Sequence, residues 1–323
     1  MLAFGLADGS NEQNNFSDTT GYVAVNPPLV VSESGTAMID PNRWQPLQLE
    51  HMISQNGIPI ENGVQQAVGP HWGHVTSFAI PAGGEAGVPI DPGPPPTFGS
   101  DAYRDQAVEV IRDSSLLDAS TSETIDISPG AIGAHSLGAN DGRGHDLNPV
   151  TGQPYEPQIV KLGDFTRAMV EYWADGPKSE TPPGHWNVLA NDVGDALGSD
   201  LRIGGTGPQV DRLEWDVKTY LALNGAVHDA AIAAWGLKGH YDSVRPISMV
   251  RYLGSLGQSS DPAGPSYDAD GLPLIDDLIE VITPATTAAG AAAGATLHRP
   301  RHVRPRAVRG GAARRGVPEQ ALG

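Results

Sequence analysis

Lys238 and Arg245 stand seven positions apart, and Pro246 follows the arginine directly. A guanidinium offers a planar fork of donors and an ammonium a compact charge, so the pair suits a tetrahedral oxyanion. Pro246 fits the first turn of a helix through ISMVRYL, whose free N–H groups and positive dipole end would add to the same field. By spacing alone the two cations fit equally well as exposed surface charges of little energetic weight. Trp235 precedes the lysine by three residues, and His240 and Asp242 lie within the spacer, as pocket wall or as solvent loop. Upstream, Asn224, His228 and Ala231 recur three or four apart, so a polar strip runs toward Lys238. His228 with Asp229 suits a group that orients the cations, or a histidine satisfied inside a bundle. His185 suits a capping or packing residue, or a second-rank member of the site.

The run Lys238-x6-Arg245-Pro246 resembles the first signature of the vanadium-dependent haloperoxidases and of the type 2 phosphatidic acid phosphatases that share their site. WADGPKSETPPGHWN (173–187), NGAVHDAAIAAW (224–235) and YDSVRPISMVRYL (241–253) look like a bacterial branch of the haloperoxidase-related proteins. DPNRWQPL (40–47) and GPHWG (69–73) look like its N-terminal part, so the resemblance covers about residues 1–290. It implies a mainly α-helical bundle, vanadate as cofactor, and halide and hydrogen peroxide as small partners; Lys238 and Arg245 would hold vanadate, while Trp235, His240, His228 and His185 are candidates by their position in the chain and not by the resemblance. Phosphate is the counterpart in a phosphatase, and a non-catalytic anion-binding or interaction protein is the third alternative. The family's later signatures, a Pro-Ser-Gly-His-like run and a Ser-Arg-x5-His run, have no counterpart after Lys238, so the direct histidine ligand of vanadate is missing. The chain is therefore expected to be inactive as written. Pro182-Pro183-Gly184-His185 resembles the second run but precedes the lysine.

These residues need helices to place them. Val210, Leu213, Val217, Tyr220, Leu221, Val227, Ala231 and Trp235 fall at helical period, predicting a long helix with one buried face that ends near Gly236. A second helix should start at Asp101 behind an Ser100 cap, burying Tyr103, Ala107, Val110 and Ile111. Ile159, Leu162, Phe165, Met169 and Trp173 predict a helix over 157–175, and Trp186, Leu189 and Leu197 a buried stripe on another over 183–198. Between them, 118–156 is too glycine-rich for a regular element, and its Ala134-His135-Ser136-Leu137-Gly138 is one glycine short of a nucleophile elbow. The acidic stretch 191–200 lacks the ligand order of a calcium hand and is expected to be a solvated loop. His71 and His74 lie among helix-breaking glycines and a proline, so packing fits them better than metal binding.

Residues 1–100 form a loop-rich N-terminal layer, 101–290 a partial helical domain, and 291–323 a basic low-complexity tail, disordered or out of frame. From 299 onward there are seven arginines and one acidic residue, against a net charge of −18 for the whole chain. Ala, Gly, Arg and Pro codons are rich in G and C, so a frameshift near residue 290 would produce such a tail. The acidic total argues against a nucleic-acid partner, and any bound anion needs a local positive pocket. Cysteine is absent, which removes thiolate chemistry. No window is long and apolar enough to span a membrane. The beginning of the chain lacks the pattern of an export signal, and the compartment stays open.

Overall fold

The computed structural model describes residues 2–53, 58–81, 91–117, 122–132, 144–148, 151–168, 180–282 and 303–305. The protein is mainly helical, with α1 (Leu2–Gly5), α2 (Asp101–Ser115), α3 (Leu162–Arg167), α4 (Pro182–Leu197), α5 (Arg212–Tyr241) and α6 (Pro246–Leu256). Strands are short: β1 (Leu29–Val30) runs parallel to β2 (Leu47–Gln48), while β3 (Thr124–Asp126) pairs antiparallel with β4 (Ile159–Lys161). A third antiparallel pair joins β5 (Ile279–Val281) to β6 (Val303–Pro305). Among the described residues no helix is long and apolar enough to cross a membrane. His135 and Ser136, Met169 and Trp173, and the basic tail apart from the backbone of 303–305 lie outside the described residues.

The Ser100 hydroxyl accepts the Tyr103 N–H at 3.2 Å and so fixes the start of α2. One face of α2, with Tyr103, Ala107, Val108 and Ile111, then packs against Met249 and Leu253 of α6 and against Leu272 and Ile279, forming the apolar core. Val110, expected inside, is exposed, because the buried stripe falls on Val108 instead. Burying side chains of this kind stabilises a fold by about 1.5–3 kcal/mol each. The tight packing fixes α6, and with it the position of Arg245 just ahead of its first turn.

The long helix departs from expectation in two respects. Leu213, Val217 and Leu221 are 73%, 58% and 64% exposed, so the apolar period of α5 does not mark a buried face among the described residues. Its amino-terminal half meets α4, antiparallel, through polar side chains. Asn187 and Asn224 exchange amide hydrogen bonds at 3.0 and 3.1 Å, Tyr220 donates to Asn191, and Arg212 pairs with Asp195 at 2.9 Å. Accordingly Trp186, Leu189 and Leu197 of α4, expected inside, are also exposed.

The helix expected over 183–198 is present as α4, capped by Thr181, and it runs through Gly194 to Leu197, so the acidic stretch also read as a solvated loop is helical up to Gly198. The predicted helix over 157–175 begins only at Leu162, since Ile159 to Lys161 are drawn into the ladder with β3. That strand, at 124–126, also lies within a stretch read as irregular.

The carboxyl-terminal half of α5 is packed by residues 69–80. A turn at Trp72–His74 lies across it where Gly73 meets Gly236, so closely that a Cβ on Gly73 would stand 2.4 Å from the Gly236 Cα. Asp229 is buried and accepts the backbone N–H groups of Phe78 and Ala79 at 2.7 Å each, and of Ile80 at 3.2 Å. His71 is buried beneath the same layer, its Nε2 at 3.1 Å from the Ser10 carbonyl and its ring against Trp72.

Candidate functional site

Lys238 occupies the last turn of α5, where the sequence placed it beyond the helix end. Gly236 does not stop the helix, because it serves the close approach of Gly73; α5 continues to Tyr241. Asp242 ends it in the left-handed conformation, φ 44° and ψ 43°, and donates its N–H to the Lys238 carbonyl at 2.8 Å. Three residues later Arg245 precedes Pro246, which takes the first helical turn of α6 as expected. The two helices are thus joined by a four-residue turn, and both cations border one cleft of about 400 Å³.

The walls of that cleft come from both sides of the fold. Trp235, Lys238, Asp242 and Arg245 belong to the helix junction, whereas Tyr22, Trp44 and Gln65 belong to the N-terminal layer. The Lys238 ammonium lies 4.1 Å from the centre of the Trp235 ring, and the Arg245 guanidinium 5.5 Å from that of Trp44. Cation–π contacts of this kind favour the charged side chain without neutralising it. The Trp235 indole donates to the Val68 carbonyl at 2.6 Å, so its ring is fixed. Arg245 donates to the Gln65 amide oxygen at 2.5 Å, a neutral partner. Among the described residues neither cation has a carboxylate within ion-pair distance.

Asp242, the carboxylate nearest in sequence, is engaged elsewhere. It accepts the Tyr22 hydroxyl at 2.7 Å and the Arg43 Nε at 2.8 Å. The turn is held further by the Trp44 N–H on the Asp242 carbonyl, 2.8 Å, and the Val244 N–H on the Asn42 carbonyl, 2.9 Å. Burial, and then the hydrogen bond to Asp242, push the Tyr22 pKa far up, so it stays a donor. Desolvation, and then the charge of Arg245, lower the pKa of Lys238 below its ordinary 10.5; desolvation also lowers that of Arg245.

The histidines lie apart from this cleft. His240 is exposed on the last turn of α5, its ring 4.6 Å from that of Tyr241. His228 is ten residues before Lys238, about 15 Å along a helix axis; its ring packs 4.9 Å from Phe78, and its Nδ1 is 3.4 Å from Asp229. His185 is buried in the first turn of α4, with its Nδ1 3.4 Å from Glu180. None of the three lines the cleft with Lys238 and Arg245. Tyr22 and Gln65 were missed by the sequence reading. Trp44, however, sits within DPNRWQPL, the stretch the resemblance had singled out, and GPHWG supplies Gly69 and Pro70 of the same wall.

Residues 218–268, which contain most of α5, the turn and all of α6, match the family model described as the VCPO second helical-bundle domain. The similarity to the vanadium haloperoxidases is confined to that stretch, and it does not distinguish a haloperoxidase from a phosphatase of the same kind. Vanadate dependence is a property of that family. No match was found among curated proteins or among solved structures.

Proposed function

We propose that this protein binds a small tetrahedral oxyanion, of the phosphate or vanadate class, between Lys238 and Arg245. The observation that carries this reading is electrostatic: two cations border one cleft without a carboxylate partner among the described residues, while Asp242 is held by Tyr22 and Arg43. An anion entering there gains charge-assisted hydrogen bonds, which are stronger than neutral ones. The indoles of Trp235 and Trp44 hold the two cations in place, and the backbone N–H groups at the start of α6 lie beside Arg245.

The fit to a resident vanadate is incomplete. The charge and donors suit its oxygens, but none of the described residues lining the cleft is a histidine. Vanadate attached to a histidine therefore does not fit these walls, and no catalytic step is assigned to it. Halide oxidation on vanadate and hydrolysis of a phosphomonoester through a phosphohistidine both need that residue, so binding is the activity these walls support. Calorimetric titration with phosphate and with vanadate tests the reading, alongside assays of bromide oxidation by peroxide with vanadate and of phosphomonoester hydrolysis. Saturable binding without turnover is the expected result. Bromide oxidation would favour the haloperoxidase reading, vanadate-inhibited hydrolysis the phosphatase reading, and absence of binding would remove the proposal.

A further inference from the structure

An aspartate inside a turn between two cations ought to neutralise them. Asp242 follows Lys238 by four residues and precedes Arg245 by three, separations at which side chains around a helix end can meet. Its carboxylate borders the same cleft and is almost wholly buried. Left without partners, it would occupy the place of an external oxyanion. Instead one carboxylate oxygen takes the Tyr22 hydroxyl and the other the Arg43 Nε, at 2.7 and 2.8 Å. Both partners come from a segment some 200 residues away in sequence.

We infer that Tyr22 and Arg43 form an electrostatic latch: they sequester the Asp242 carboxylate and thereby leave Lys238 and Arg245 free for an oxyanion. This rests on the oxyanion reading of the cleft, and it makes Tyr22 and Arg43 positioning residues that act through Asp242. The backbone agrees with such a role. Asp242 holds a left-handed conformation that costs a non-glycine residue free energy, and the Trp44 and Val244 hydrogen bonds keep the turn in it. The carboxylate is thus aimed by the main chain and secured by the latch. Aspartate tolerates this conformation better than most residues, and asparagine does as well.

A double-mutant cycle tests the latch. Tyr22→Phe removes one of the two hydrogen bonds while keeping the ring, and leaves Oδ1 of the carboxylate able to turn toward the cations while Arg43 keeps Oδ2. Phosphate affinity is expected to fall by about five- to tenfold, as the released carboxylate oxygen competes with the anion for the two cations. In an Asp242→Asn background, where no charge can compete, the same Tyr22→Phe change is expected to cost clearly less affinity. An equal loss in both backgrounds would mean that Tyr22 is merely structural, and no loss in either would mean that there is no latch.

A second measurement does not depend on any ligand. The Lys238 ammonium is titrated by NMR in the ligand-free protein, where Tyr22→Phe should raise its pKa, because a freed carboxylate stabilises the charged form. Asp242→Asn should abolish that rise. If phosphate fails to bind the unaltered protein but the pKa rises as described, the oxyanion reading falls and the latch stands. An unmoved Lys238 pKa overturns the latch whatever the phosphate result.

Discussion

At Lys238 and Arg245 the chemistry is that of two charges kept apart from their natural partners. A lysine whose pKa is lowered loses its proton earlier as the solution becomes alkaline. Phosphate affinity should therefore decline with rising pH beginning below 10.5, the ordinary value for the group. Lys238→Arg should hold its affinity to higher pH, because a guanidinium does not titrate there. The comparison is a pair of calorimetric pH profiles. Asp229 behaves in the opposite sense. Burial raises its pKa, but the N–H groups of Phe78, Ala79 and Ile80 and the neighbouring His228 outweigh this and hold it below the usual carboxylate value. Its stabilising contribution is thus complete above the unfolded-state value of about 3.9 and is lost as pH falls through the lower folded value. Asp229→Ala should cost on the order of 2–3 kcal/mol at neutral pH, since it deletes several charged hydrogen bonds at a buried site. Denaturant unfolding at pH 7 and at pH 3 measures both effects, and the difference between variant and parent should shrink at the lower pH.

Among the elements, the helices were legible in the sequence both from caps and from apolar period, whereas the buried face and the end of α5 were not. Ser100 and Pro246 marked the starts of α2 and α6, and both hold for local reasons: the Ser100 hydroxyl accepts a backbone N–H three residues on, and the fixed φ of Pro246 suits the first helical turn. Ser100→Ala should accordingly lower stability by about 1 kcal/mol, measured by denaturant unfolding. The end of α5 was misplaced because glycine after an apolar run reads as a stop. Here Gly236 answers a distant demand, the approach of Gly73. Gly73→Ala would drive a methyl group against backbone rather than a flexible side chain, and overpacking of that kind costs about 1–3 kcal/mol. Thermal denaturation should show the lower midpoint. The apolar period along Leu213, Val217 and Leu221 misled for another reason: periodicity identifies a face, whereas burial depends on what packs there, and the neighbouring α4 meets α5 with amides and an ion pair.

Across the whole molecule, the site is assembled from segments that no local pattern connects. The cations were visible in the sequence because Lys238 and Arg245 lie close together around a helix junction. Their companions were not: Tyr22 reaches Asp242 across 220 residues, Gln65 reaches Arg245 across 180, and Phe78 reaches Asp229 across 151. Such contacts are set by how the N-terminal layer drapes over the end of α5, which residue spacing does not encode. Family resemblance conveyed part of this, since Trp44 and Pro70 fall within stretches it had marked. An acidic chain with a net charge of −18 gains little from general attraction to anions, so affinity at this corner must come from its local cations. The most direct measurement is calorimetric titration of phosphate into the parent protein, Lys238→Ala and Arg245→Ala. The account predicts saturable binding to the parent, weakened by about 1.5–3 kcal/mol in each variant. Equal affinity in all three proteins would place the anion elsewhere and contradict the assignment of the cleft.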